Sequence, residues 1–181
     1  MKSVLFKLIS MLFVLSLAVV GARVLKRLEP VVVTKDLKIT HEVQRITAPA
    51  LSSYGADLLI DGGSRDVHAW HSPAGVEYPI SIDVRFKRAV LLNQIGFQAQ
   101  YGPPGNFPRA PEMVRIYGGA DAKHLKPLAE FALQFRRVGA WTVKELPQSK
   151  LKYPSYRIEI LTNHGDPGFV TIQELNFYGQ T

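Results

Sequence analysis

Residues 58–72, Leu-Leu-Ile-Asp-Gly-Gly-Ser-Arg-Asp-Val-His-Ala-Trp-His-Ser, constrain the fold more than any other stretch of the chain. The run Asp61-Gly62-Gly63-Ser64 ends whatever element leads into it. Glycine supplies positive φ there, and Asp and Ser side chains bond to nearby backbone rather than to a ladder. The curl is rich in oxygen, with Asp61, Ser64, Asp66 and the carbonyls around them. A loop of this kind satisfies itself, is hydrated, or wraps a hard cation. Trp70, just beyond it, is a large apolar anchor. The stretch is expected to close one end of a β-sandwich and to help position a ligand site.

The rest of the chain reads as short strands between Gly/Pro loops. Ile80, Ile82, Val84 and Phe86 alternate with Ser81, Asp83 and Arg85, the period of a half-buried strand. Lys87-Arg88 reads as a turn, with a second strand after it that is densest at Ile95-Gly96-Phe97. Residues 101–111 hold four prolines and two glycines and are expected to be a loop. Further strands are expected over 112–117, 128–135, 141–146, 156–160 and 169–178. In the last of these, Val170 and Ile172 have opposite parity to Leu175 and Phe177, so a β-bulge near Gln173-Glu174 is expected. No stretch sustains a helical period. The pattern implies an all-β, antiparallel sandwich or barrel.

The first residues are a different kind of segment. Met1-Lys2-Ser3 and Lys7 precede an apolar run over residues 8–22 that is shorter than the roughly 20 residues of a membrane span. Small residues at Val20-Gly21-Ala22 suit a signal peptide over residues 1–22. Arg23, Lys26 and Arg27 leave an uncleaved signal anchor open. Either reading exports the remainder of the chain. That remainder is a linker over 23–38 and a folded domain over 39–181, lying in the periplasm, secreted, or anchored outside the cytoplasm. The chain has no cysteine, which excludes disulfides, thiol catalysis and thiolate metal sites. Loss of Lys2 and Lys7 with the signal lowers the net charge from +7 to +5. Export and the absence of a basic stripe argue against nucleic acid as a partner. Nothing pairs the candidate acids Asp121, Asp166 and Glu174, and no Ser-His-Asp set or phosphate loop stands out, so no catalytic residue is assigned.

Taken together, residues 39–179 resemble a discoidin domain of the coagulation factor V/VIII type C, galactose-binding-like group, most similar to family 32 carbohydrate-binding modules. The resemblance rests on Ile60-Asp61-Gly62 and Trp70-His71-Ser72, on Met113-Val114-Arg115-Ile116-Tyr117-Gly118-Gly119, and on the closing run from Gly168 to Gly179. It implies a jelly-roll sandwich of about eight main strands. It implies a structural Ca2+ held by the carboxylates of Asp61 and Glu174 and the carbonyls of Leu58, Gly63 and Gln173. Trp70 stands nine residues after Asp61, further than the family's usual spacing, so Ser64 or Asp66 would take the place of the usual hydroxyl ligand. It also implies a non-catalytic module that binds carbohydrate through loops at one end, with Phe169, His71, Arg109 and Asn106 as contacts, Gln98 or Gln100 as a stand-in for the arginine, and Tyr101 and Phe107 as further exposed aromatics. The alternative is a discoidin-type domain that binds a cell-surface protein or an anionic membrane through apolar loop tips.

Overall fold

The structure is a computed structural model that describes residues 36–63, 68–75, 77–99, 107–137, 139–147 and 151–181. The expected signal segment over 1–22 and most of the linker lie outside these residues. The compact unit runs from Asp36 to Thr181. It is all-β, with ten strands and two short 3-10 helices among the described residues.

The organising element is β4 (Ile80–Gln98). Its first half pairs antiparallel with β2 (Val43–Thr47) and β8 (Tyr153–Asn163), and its second half with β7 (Trp141–Glu145) and β10 (Glu174–Gln180). One strand therefore supplies both layers. The turn expected at Lys87-Arg88 is instead a bend within it, where the register against β8 breaks between Arg85 and Val90. Lys87 and Arg88 find partners in β2's neighbourhood, Lys87 Nζ donating to the His41 carbonyl (2.9 Å) and Arg88 to Glu42 (3.1 Å). Beyond β8, β5 (Pro111–Gly119) and β6 (Leu125–Ala132) extend the first layer. On the second layer β1 (Leu37–Lys38) pairs with β10. These two residues fall at the end of the expected linker, and an Asp36–Asn93 hydrogen bond ties the start of the unit to β4.

The alternation read in β4 places Ile80, Ile82, Val84 and Phe86 inside. Asp83, on the other face, receives a forked pair of bonds from Arg157 of β8 (2.6 and 3.0 Å). Phe86 sits at the centre of the core, edge-on to both Tyr156 and Phe177. Trp70 is fully buried, its Nε1–H donating to the Pro49 carbonyl (3.1 Å).

The parity change in the last strand is resolved by a change of partner rather than by a bulge in one ladder. β9 (Thr171–Ile172) pairs with β3 (Trp70–His71), the ladder breaks at Gln173, and β10 then pairs with β4. Because each side of the break faces a different neighbour, residues of both parities are buried from Val170 to Phe177.

Candidate functional site

At the end of the sandwich where β4 and β5 begin and β8 finishes, three loops meet. His71 ends β3, Arg109 precedes β5, and Phe169 lies between β8 and β9. The loop between β8 and β9 is built on Asp166. Its Oδ1 accepts from the backbone N–H groups of Gly168 (2.8 Å) and Phe169 (2.9 Å), an Asx turn of the kind that Asp-Pro-Gly favours. Its Oδ2 accepts from Arg109 Nε (3.0 Å). Asn163 closes the loop from below, its amide donating to the carbonyls of Asp166 and Phe169. The Arg109 carbonyl accepts from Thr171 N–H (2.8 Å), which fixes the arginine's backbone against β9. Its guanidinium carbon then lies 5.2 Å from the centre of the Phe169 ring, a cation–π arrangement.

His71 completes the cluster. It is 8% exposed, with the Tyr54 ring at 4.3 Å between centroids. Burial holds its pKa below the ordinary 6.5, and the Arg109 charge adds to the shift. The imidazole is therefore neutral at neutral pH, with one donor and one acceptor nitrogen. Tyr78, exposed at the edge of the same end, is raised above its ordinary pKa by partial burial, opposed by the Asn163 backbone and assisted by the Asp166 charge. A cleft of about 400 Å³ opens alongside, lined by Pro49, Ser72, Pro73, Gly75, Glu77 and Pro79 among others.

Of the expected contacts, the structure brings His71, Arg109 and Phe169 together. Gln100, Tyr101 and Asn106 lie outside the described residues. Gln98 is bonded to the Gly139 carbonyl (2.7 Å) on β7's side of the molecule. Phe107 is not an exposed tip: it is half-buried, its ring 6.1 Å from that of Phe135. Tyr54, and the loop-holding role of Asp166, which the sequence offered only as a candidate acid, are what sequence reading missed here. The Asp-Pro-Gly triplet marked Asp166 as a loop organiser, whereas nothing local marked Tyr54.

The acidic curl lies against the start of β10. Glu174 is 3% exposed, and its Oε2 accepts from Gly62 N–H (3.1 Å). Gly62 holds φ at +77°, which lets the backbone turn this donor toward β10. Asp61 caps its own turn through Gly63 N–H (2.6 Å) and pairs with His68 Nδ1 (2.9 Å). Gln173 Nε2 approaches the Gly63 carbonyl at 3.4 Å. Leu58 sits in the short 3-10 helix Ala56–Leu59 leading into the turn. Ser64 and Asp66 lie outside the described residues, and among the described residues no three His, Asp or Glu side chains converge.

The donor set nonetheless suits a hard cation. Burial pushes the Glu174 carboxyl up to about 7; the Gly62 N–H opposes this, and the neighbouring Asp61 carboxylate adds to it. Two carboxylates and a backbone carbonyl sharing a partly dry corner are oxygen ligands of the type Ca2+ takes.

No family model matches the chain, and no curated protein sequence does. The solved structures give the class. The galactose complex of the family 32 carbohydrate-binding module of NanJ from Clostridium perfringens superposes with a TM-score of 0.61 at 19% identity, covering 77% of this chain and 95% of that one. The two family 32 modules of ZmpB from the same organism, in complex with GalNAc, superpose at 0.61 and 16% identity. That match covers 80% of this chain, which spans 34% of the ZmpB structure. An F5/8 type C domain from Bacteroides fragilis superposes at 0.61 and 16% identity, covering 76% and 91%. The fold is thus the discoidin, galactose-binding-like β-sandwich that the sequence resembles.

Proposed function

We propose that this chain is an exported, non-catalytic module that binds a neutral hexose through the loops joining His71, Arg109 and Phe169. The observation that carries the reading is that these side chains, from three segments far apart in sequence, meet at one end of the sandwich. Their chemistry suits a pyranose. The Phe169 ring offers an apolar face for ring C–H groups, and the neutral imidazole, the guanidinium and Asp166 offer donors and acceptors to hydroxyls. The NanJ and ZmpB modules were solved with galactose and GalNAc, which makes these the first sugars to try.

The reading includes a Ca2+ ion held by Asp61 and Glu174 with the Gly63 carbonyl, its role being to fix the curl against β10. Titration calorimetry with galactose and GalNAc tests the sugar site. Saturable binding that is lost in both F169A and H71A supports it; binding unchanged in either variant, or no binding to any hexose tried, overturns it. Calcium is tested by thermal melts with and without chelator, and an unchanged Tm removes the ion.

A further inference from the structure

Beyond that site, we propose a second, independent subsite for an acidic sugar residue, a pyranose bearing a carboxylate, in the cleft between β7 and the segment before it. The cleft measures about 500 Å³ and is lined by Gln134, Arg136, Arg137, Ala140, Trp141, Thr142 and Val143. No acid is among these residues.

Three observations converge. First, Trp141 is an exposed aromatic that is firmly seated. It is 39% exposed, yet it lies so close over the backbone of Gly96 that a Cβ there would come within 3.1 Å of its ring. The neighbouring strand has thus dispensed with a side chain so that the indole can lie on it. A platform of this kind pairs with the C–H face of a pyranose. Second, Arg136 and Arg137 are both exposed, and among the described residues neither guanidinium makes a hydrogen bond or an ion pair. By contrast five of the other six described arginines, Arg85, Arg88, Arg109, Arg115 and Arg157, are engaged, four of them by carboxylates; Arg45, exposed on β2, is the exception and stands alone rather than as one of a pair. Two guanidinium groups beside an aromatic platform match a carboxylate, which a guanidinium binds through two parallel bonds. Third, the frame that holds them is defined. Thr142 Oγ1 donates to the Gln134 carbonyl (2.7 Å), Ala140 N–H donates to the Arg137 carbonyl (3.2 Å), and Gln98 holds the Gly139 carbonyl. Glu145 is the exposed acid on the same face of β7, beyond Val143 and outside the cleft lining.

The test uses the full chain, with trigalacturonate and sialyllactose as acidic probes and the methyl ester of trigalacturonate as the neutral control. The chain has two tryptophans, and Trp70 is fully buried but adjoins His71 of the first site, so a fluorescence change that persists in H71A reports Trp141. The expected result is a saturable change with at least one acidic probe, weakened by salt. Both the methyl ester and the R136Q/R137Q variant should bind about tenfold more weakly. The variant changes only exposed side chains, so its fold is retained. F169A and H71A should leave this binding intact while removing that of galactose, which separates the two sites. The subsite is overturned by equal binding of the ester, by R136Q/R137Q binding like the parent, by loss of acidic-sugar binding in F169A, or by no response to either acidic probe up to about 10 mM, the range of the weakest specific contacts.

Discussion

Asp166 and Glu174 are both shielded carboxylates near the same end of the sandwich, yet their surroundings drive them in opposite directions. Asp166 loses some hydration, but the N–H of Gly168, the Arg109 guanidinium and the N–H of Phe169 together bring its pKa below the ordinary 3.8. Glu174 is pushed up by burial, has one backbone donor among the described residues, Gly62, and a like charge beside it in Asp61, and it rises to about 7. The first acid is a finished structural anchor. The second is short of donors, and a cation would supply what is missing. What separates the two roles is depth together with donors: burial is the larger influence on Glu174, while the donors aimed at Asp166 outweigh its loss of hydration.

The largest expected effect is at Glu174. Its folded pKa lies above the unfolded 4.5, so the folded state holds a proton that the unfolded state has released. Without an ion, stability should be greatest below pH 4.5 and fall as the pH rises to about 7, by on the order of 3 kcal/mol. E174Q keeps an acceptor for Gly62 and removes the charge. In chelator it should lie above the parent at pH 8 and lose this slope in urea unfolding between pH 4.5 and 8. Calcium at about a hundred times its Kd should restore roughly 2.7 kcal/mol to the parent at pH 8 and nothing to E174Q. If the two proteins share one pH profile, the contrast between the acids is wrong.

The opposite sign is expected at Asp166. Its depressed pKa contributes stability above the unfolded 3.8, which is lost as the pH falls through the folded value. D166A leaves the N–H groups of Gly168 and Phe169 without their acceptor and Arg109 without its partner. A cost of about 2 kcal/mol in urea unfolding is expected, with loss of galactose binding because the loop carrying Phe169 is no longer held.

Much of this was legible in the sequence because it rests on local rules. The alternation in residues 80–86 and the apolar-Asp-Gly curl ahead of Trp70 each carry their own signal, and the fold they imply is the one observed. The parity conflict across Gln173 was visible too, but its resolution was not: a bulge and a change of partner strand produce the same pattern, and only the pairing of β9 with β3 separates them. Lys87-Arg88 misled because two adjacent charges mark a solvent-exposed bend as well as they mark a turn. At the site, His71, Arg109 and Phe169 came into view through resemblance. Tyr54, which packs on His71, and Arg109's double role toward Asp166 and Phe169 are contacts between distant segments, and no spacing encodes them.

The smallest expected effect on stability is also the sharpest separation of the two functions of one side chain. Arg109 is half-exposed, so its ion pair with Asp166 is screened and worth roughly 0.5 kcal/mol. The Asx turn keeps its two backbone donors when the guanidinium is gone. R109A should therefore unfold within about 1 kcal/mol of the parent, well short of D166A. Affinity should respond differently, since among the described residues the guanidinium is the one cationic donor shown over the Phe169 ring: a loss of about tenfold for galactose is expected by calorimetry. An independent readout is His71, whose pKa Arg109 helps to depress. Its imidazole should titrate closer to 6.5 in R109A by NMR, while the part of the shift due to burial remains. A large loss of stability in R109A, equal to that of D166A, would mean that the ion pair and not the turn holds the loop.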